Sequence, residues 1–439
     1  MMSKQIIRGL ASLSLLSFLV LSLVMSGPAA SAKLQRAGIS TGPARNAAIV
    51  STTEAVLKET SDLRQLAILK QVKSGAQSRA EIQHMIVRNL DEETTPADLH
   101  AAEVVLKAFG LAPADFQYRP FLIKLLTEQV AGYYDPKAQQ FYLADWIDLE
   151  GQKPVMAHEL THALQDQHFN LRRFEKWPKG DADAELAAHA LIEGDATLSM
   201  TMYMAKYPLV ALAFIRSLGS LDAATEQFKQ APRALRESLM FPYEEGSAWA
   251  TQLYKRGGWQ MVSDAFTKLP QSSEQILHVD KYFSYEAPLK VTVPDLKTVL
   301  GPNWKRIDSD VNGEWGFYLI LDEFINDSEQ SKRASAGWAG DRYVVFEGTR
   351  PDQVFVVELS AWDTENDSKE FFDAYAKRTR RRYLNDQGAE TNSATDQSER
   401  LEWKTANGSV VLERRGTRVL ILEGLPSGVA VNAIDRAVW

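Results

Sequence analysis

Two histidines and a glutamate within one short segment have the residue types and the spacing of a metal-dependent hydrolytic site. His158, Glu159 and His162 form the pattern HExxH, and Pro154 suits the first turn of a helix that carries them. Residues four apart lie on one face of a helix, so both imidazoles can reach one ion from the same side. Glu159 lies one step around the helix, where it can take a proton from a water that the ion activates. The segment predicts a Zn²⁺ site with Glu159 as the general base.

A zinc site needs a third protein ligand and an open fourth position. The favoured ligand is Glu193, which lies on a predicted second helix. The segment between His162 and Glu193 is long enough for a loop, after which the second helix can run antiparallel to the first. His168 has the spacing of the motif HExxHxxGxxH, but Gln165 occupies the position of its glycine. A helix that continues through Gln165 carries His168 about a turn and a half past His162, too far to share the ion. Further alternatives are Glu185, His189 and Asp195.

Residues 157–167, with the sequence AHELTHALQDQ, and the later run Glu193-Gly194-Asp195-Ala196 resemble exported bacterial zinc metallopeptidases of the gluzincin, peptidase MA-like type. The resemblance continues in 129–136, 241–246, 257–259 and 273–278, and covers about 119–285 and, further on, 330–365. It implies that His158, His162 and Glu193 bind Zn²⁺ and that Glu159 acts as general base and acid.

Thermolysin-type gluzincins have an aspartate four residues after the ligand glutamate, where it orients a zinc-bound histidine. Thr197 stands at that position in this chain. Asp195 or Asp166 is then expected to supply the acceptor instead.

Peptide hydrolysis also needs a donor that stabilises the oxyanion. In gluzincins this group is often a tyrosine or histidine from a downstream segment. His278 is the leading candidate, followed by Tyr243 and Tyr282. The predicted hairpin 131–144 offers either an edge strand for an extended peptide or plain scaffold.

The pattern of apolar residues and turns predicts an α+β fold, with a mainly helical zincin-like unit, a β-hairpin or small sheet, and a C-terminal α+β region. The predicted parts are a signal peptide (1–32), an N-terminal helical region (33–118), a metallopeptidase domain (119–300) and the C-terminal region (301–439). Residues 33–118 are either an inhibitory prosegment or an integral part of the domain.

The first 32 residues have the pattern of a secretory signal, with Lys4 and Arg8 before an apolar run and Ala30-Ser31-Ala32 as a cleavage site. No later stretch is long and apolar enough for a membrane span, so an exported protein without a stable span is expected. The net charge of −8, from 49 Lys and Arg and 57 Asp and Glu, argues against nucleic acid as a partner. The run Arg378–Arg382 is expected to form a solvated helix face.

The sequence therefore predicts an exported zinc metallopeptidase whose partner is a peptide or protein substrate. One alternative is a non-catalytic envelope binding protein on a zincin scaffold, and another is a zinc hydrolase of non-peptide amides. A third is a surface helix whose two histidines only make hydrogen bonds. The intact Glu159 favours catalysis, because a degraded site usually loses this residue.

Overall fold

Helices are combined with two β-sheets in the computed structural model, which describes residues 43–146, 148–174, 180–218, 228–383, 390–394 and 399–439. The predicted α+β fold class is confirmed. The predicted signal peptide, 1–32, lies outside the described residues. Within them, no single helix is long and apolar enough to cross a membrane, although Ala182–Lys206 and Pro208–Ser217 meet that criterion as a pair bent by 114°.

The described part of the N-terminal region is helical except for one short strand. Ser78 with Glu81 and Thr95 with Asp98 form capping boxes, which satisfy backbone N–H groups where two of the helices start. The first helix ends at Arg64, although apolar residues at helical spacing continue to Leu69. The elements are α1 (Pro43–Arg64), β1 (Lys73–Gln77), α2 (Arg79–Glu93), α3 (Pro96–Ala108) and α4 (Tyr118–Gln129).

The predicted hairpin is present as β2 (Gly132–Asp135) and β3 (Gln140–Ala144). The Asp135 carboxylate accepts hydrogen bonds from the backbone N–H groups of Lys137 and Ala138, which stabilises the turn. β1 pairs in parallel with the other side of β3, so the sheet has the order β1-β3-β2. The N-terminal region therefore contributes a strand to this sheet, and β2 is an edge strand.

Two helices in the middle of the chain are buried along most of their length. Every residue of α5 (Lys153–Phe169) from Pro154 to Asp166 is buried, and so is every residue of α6 (Ala182–Lys206) from Ala182 to Met200. A helix that is buried on all sides belongs to the core. Charged side chains within these two stretches are therefore shielded from water. Further helices in this part are α7 (Pro208–Leu218), α8 (Arg233–Ala265), α9 (Ser273–Leu277) and α10 (Val279–Ser284).

Helix α8 is continuous between Met240 and Gly246. The chain accommodates Pro242 inside the helix even though proline lacks the N–H group for a helical hydrogen bond. Gly257 and Gly258 have non-helical backbone angles and break the helix at that point.

Helices α6 and α8 come into backbone contact at two glycines. A Cβ atom on Gly194 would lie 2.2 Å from the Gly246 carbonyl oxygen, and one on Gly246 would lie 2.3 Å from the Ala190 oxygen. Such separations leave no space for a side chain, so only glycine allows this crossing. The contact holds α6 in place at the residue next to Glu193.

The C-terminal region is built around a seven-stranded antiparallel sheet with the order β4-β5-β6-β10-β9-β8-β7. Its strands are β4 (Lys305–Asp310), β5 (Trp338–Glu347), β6 (Val354–Trp362), β7 (Glu390–Ala394), β8 (Glu399–Thr405), β9 (Gly408–Arg415) and β10 (Arg418–Leu425). The accompanying helices are α11 (Lys297–Leu300), α12 (Gly313–Ile325), α13 (Ser328–Ser335), α14 (Glu365–Arg382) and α15 (Val431–Val438).

The solvated face predicted for Arg378–Arg382 is wrong for part of the run. The Arg378 side chain is fully buried in α14 and forms an ion pair with Glu423, which Arg382 also contacts at 2.5 Å. A buried guanidinium requires such a partner, since an unpaired buried charge is strongly unfavourable. The arginine run therefore attaches α14 to the sheet.

Candidate metal centre

The first two candidate ligands lie on one face of α5, as their spacing predicts. The Nε2 atoms of His158 and His162 are 3.1 Å apart, and the two rings meet edge to face with centroids 4.8 Å apart. Both side chains are almost completely buried. One turn of helix thus directs two imidazole nitrogens to the same point.

Glu193 on α6 completes a triangle of ligand atoms. Its Oε2 atom lies 3.1 Å from His158 Nε2 and 3.3 Å from His162 Nε2. Within the part of the chain that the structure describes, these three residues form the only group of histidine and carboxylate side chains arranged to hold a metal ion. The return of the chain from α5 to α6 therefore brings Glu193 to the histidines, whereas the other third-ligand candidates stay outside the group.

The triangle has the dimensions that a zinc ion requires. Atoms bound to Zn²⁺ at 2.0–2.1 Å with tetrahedral angles are about 3.3 Å apart, close to the three separations here. Glu193 Oε1 is also buried and has no hydrogen-bond partner among the described residues. Two imidazoles and one carboxylate suit zinc or a similar transition metal better than Ca²⁺ or Mg²⁺.

The three side chains change one another's pKa values. Burial lowers the pKa of His158. Burial also acts to lower the pKa of His162, but the Glu193 carboxylate outweighs it and raises the value to about 9. Conversely, burial favours the neutral acid form of Glu193, yet the two histidines lower its pKa to about 2. Glu193 therefore stays ionised although it is buried. A buried carboxylate needs a positively charged partner, which is either protonated His162 or a bound cation.

Gln165 fixes which nitrogen of His162 faces the triangle. The Gln165 amide nitrogen donates hydrogen bonds to Ile192 O at 3.0 Å and to Asp195 Oδ2 at 2.9 Å. Its Oε1 atom therefore accepts from His162 Nδ1, at 2.8 Å. With hydrogen on Nδ1, the lone pair of Nε2 is available for an ion.

Sequence reasoning considered Gln165 only as a helix-continuing residue and missed this role. Its position three residues after His162, on the same helix face, was the available signal. Asp195, expected to orient a ligand histidine, reaches His162 through Gln165 instead. Asp166 accepts hydrogen bonds from the Tyr134 hydroxyl and the Leu171 N–H.

Glu159 is fully buried beside the triangle. Its Oε2 atom accepts a hydrogen bond of 3.0 Å from the backbone N–H of Tyr134 on β2. The same carboxylate contributes to the raised pKa of His162, after the larger effects of burial and of Glu193. The edge strand and α5 together therefore hold the carboxylate close to the ligand group.

The remaining third-ligand candidates have other contacts. Helix α5 continues through Gln165, and exposed His168 at its end forms a 2.8 Å hydrogen bond with Ala67 O. His189 Nδ1 donates to Glu185 O at 2.9 Å, one turn earlier on α6. The Thr197 hydroxyl, at the position of the aspartate in thermolysin-type sites, is buried without a hydrogen-bond partner in the described structure.

Among the candidate oxyanion donors, Tyr243 lies against a ligand. Its ring stacks on His158 with a centroid distance of 6.1 Å and an angle of 25°. His278 instead forms a 2.9 Å ion pair with Glu314, and its side chain is 44% exposed. The Tyr282 hydroxyl donates a hydrogen bond to Lys268 O, and the Tyr282 ring packs on Trp249. Of the three candidates, Tyr243 thus has a ring contact with a candidate metal ligand, whereas His278, the leading candidate from the sequence, contacts Glu314.

Comparison with known proteins gives a match for the C-terminal region alone. Residues 298–435 match a family model described as "Domain of unknown function (DUF8575)". No curated protein and no solved structure matches the chain. The matched range begins close to the boundary predicted at 301 and excludes the candidate metal centre, so the proposed function rests on the chemistry of that group of residues.

Proposed function

We propose that this chain is an exported zinc-dependent metallopeptidase that hydrolyses peptide bonds with Glu159 as general base. The proposal rests on one observation: the buried triangle of His158 Nε2, His162 Nε2 and Glu193 Oε2, with edges of 3.1–3.3 Å, next to a buried carboxylate. When bound, zinc would supply a Lewis acid that lowers the pKa of water and polarises a carbonyl group.

The residues of the chain divide the remaining work. His158, His162 and Glu193 would hold the ion, with Gln165 keeping the imidazole of His162 in the ligand tautomer. Glu159 accepts the proton of the attacking water and transfers it to the departing amine. Its hydrogen bond from Tyr134 N–H keeps the carboxylate oriented for both transfers.

The proposed substrate is a peptide or protein, as the resemblance of residues 157–167 to zinc metallopeptidases implies. β2 is an edge strand, and its Tyr134 N–H already contacts Glu159. Gly132, Tyr133 and Tyr134 are buried and this N–H already donates to Glu159, so this part of the edge holds the general base in place and is scaffold.

Metal content provides the direct test of the proposal. We expect residues 33–439 to bind about one zinc per chain by mass spectrometry of the metals, as a single three-ligand site requires. His158→Ala and Glu193→Ala should lose this zinc, because each removes one corner of the triangle. His168→Ala should keep it, because this ring contacts Ala67 O instead.

Casein degradation by the same samples separates the alternatives. Zinc binding with zinc-dependent cleavage supports the peptidase. Zinc binding without cleavage of casein or of a peptide library would favour the binding-protein alternative. The site assignment would be overturned if the folded wild-type chain bound no zinc. It would also be overturned if His168→Ala were the only variant that lost zinc.

We also expect Tyr243→Phe to lower kcat for peptide hydrolysis by about 10²-fold or more, the effect of losing one oxyanion donor. The ring that stacks on His158 remains in this variant, so zinc content and thermal stability should stay at wild-type values. Steady-state kinetics on a fluorogenic peptide, with metal analysis alongside, measures both quantities.

His278→Ala serves as the matched comparison, because this histidine pairs with Glu314 at a partly exposed position. Its kcat should remain near that of the wild type. If the order is reversed, with a large loss in His278→Ala and none in Tyr243→Phe, then the oxyanion donor is His278.

A further inference from the structure

Helix α1 ends with an arginine that is buried beside the metal centre. The Arg64 side chain is fully buried, as is that of Asp195 on α6. The guanidinium forms a two-pronged pair with this carboxylate, with Nε–Oδ1 at 2.5 Å and Nη2–Oδ2 at 3.1 Å. Arginine matches the geometry of a carboxylate with two parallel hydrogen bonds, which a lysine cannot reproduce.

The guanidinium is also held on its other sides. Both Nη atoms lie 3.2 Å from the hydroxyl oxygen of Ser263, and the guanidinium carbon is 4.5 Å from the centre of the Trp259 ring. Both residues belong to α8. Arg64 therefore lies between α6 and α8, with its position set by the two-pronged pair with Asp195 and only supplemented by the neutral contacts with Ser263 and Trp259.

A continuous series of hydrogen bonds leads from this arginine to a candidate ligand. Asp195 Oδ2 accepts from Arg64 Nη2 and from Gln165 Nε2, at 3.1 and 2.9 Å. Gln165 Oε1 then accepts from His162 Nδ1 at 2.8 Å. Each group in the series has its donor or acceptor role fixed by the one before it, beginning with a guanidinium that can only donate.

We infer that Arg64 is a positioning residue for the metal ligand His162 and that the N-terminal region is a permanent part of the metal centre. The inference rests on the proposed zinc site. Arg64 orients Asp195, Asp195 selects the orientation of the Gln165 amide, and that amide selects the tautomer and angle of the imidazole. Removing partners in the second layer around a metal typically weakens its binding by 10- to 100-fold.

The other contacts of the N-terminal region agree with a permanent role. β1 pairs in parallel with β3 over five residues. At the end of α5, Gln167 Oε1 accepts from the backbone N–H groups of Leu69 and Lys70. Cleavage that released α1 would remove the guanidinium and leave Asp195 as an unpaired buried charge. Residues 43–77 are thus expected to remain in the active protein, in contrast to a removable prosegment.

Zinc affinity, measured by competition with a fluorescent chelator, tests the inference without any measurement of activity. The variants are Arg64→Lys, Gln165→Met and the double variant. Lysine keeps a positive charge opposite Asp195, so the fold is preserved while the two-pronged geometry is lost. Ser263→Ala is the control, because it removes a contact of the same guanidinium and leaves Asp195 paired. Urea unfolding of the metal-free proteins reports stability separately.

We expect Arg64→Lys to weaken zinc binding by about 10-fold and Gln165→Met by about 10- to 100-fold. The double variant should be no weaker than Gln165→Met alone, because residues that act in series are not additive. Ser263→Ala should bind zinc like the wild type. If Arg64→Lys leaves zinc affinity unchanged, Arg64 is only structural, and if the two effects add, Arg64 does not act through Gln165. A wild-type chain without zinc affinity would refute the proposed function first, and this inference with it.

Discussion

Replacing Glu159 with glutamine is expected to lower kcat for peptide hydrolysis by about 10²–10⁴-fold, the usual contribution of a general base. Glutamine has nearly the same shape and can still accept the hydrogen bond from Tyr134 N–H. It cannot accept a proton from water at neutral pH. Because Glu159 is outside the ligand triangle, the variant should keep its zinc.

The measurement combines kcat on a fluorogenic peptide with metal content for the same preparation. Glu150→Gln is a suitable control, since this glutamate precedes α5 and has a side chain that is 67% exposed. It should retain wild-type activity. If Glu159→Gln keeps both its zinc and its activity, another group accepts the proton and the role of Glu159 is wrong.

The parts of the site that the sequence predicts are those set by local rules. The HExxH spacing places two imidazoles on one helix face wherever a helix forms, and the apolar residues around it predict that helix. The hairpin is equally local, because the Asp135 side chain stabilises its own turn. Glu193 is predictable as the third ligand because consecutive helices usually lie next to each other, so that α6 packs antiparallel to α5.

The parts that the sequence does not reveal depend on distant contacts. Nothing in Lys73–Gln77 has the apolar alternation of a strand, and β1 forms only because β3 offers a parallel partner. Arg64 meets Asp195 across 131 residues, so a helix terminus with an ordinary basic residue gives no sign of a buried pair. The burial of Arg378 escapes sequence-based prediction for the same reason, since its partner Glu423 lies on a distant strand.

The largest stability effect is expected at the crossing of α6 and α8. Replacing glycine with alanine inside a helix normally adds about 1 kcal/mol to the free energy of unfolding. At Gly194 the new Cβ atom would lie 2.2 Å from the backbone oxygen of Gly246. A backbone atom cannot move away as a flexible side chain can, so the helices must separate, at a cost of about 3 kcal/mol for overpacking.

The two effects predict a net loss of about 2 kcal/mol for Gly194→Ala, measured by urea unfolding of the metal-free protein. Gly75→Ala is the matched control, because its nearest neighbour would be the Gln140 side chain at an ordinary 3.6 Å. Since Gly194 follows Glu193 directly, a shift of α6 also moves Glu193 Oε2 relative to the histidines, and zinc affinity should fall with stability. A gain of about 1 kcal/mol instead would show that α6 and α8 are not in backbone contact, because helix propensity alone would then decide the sign.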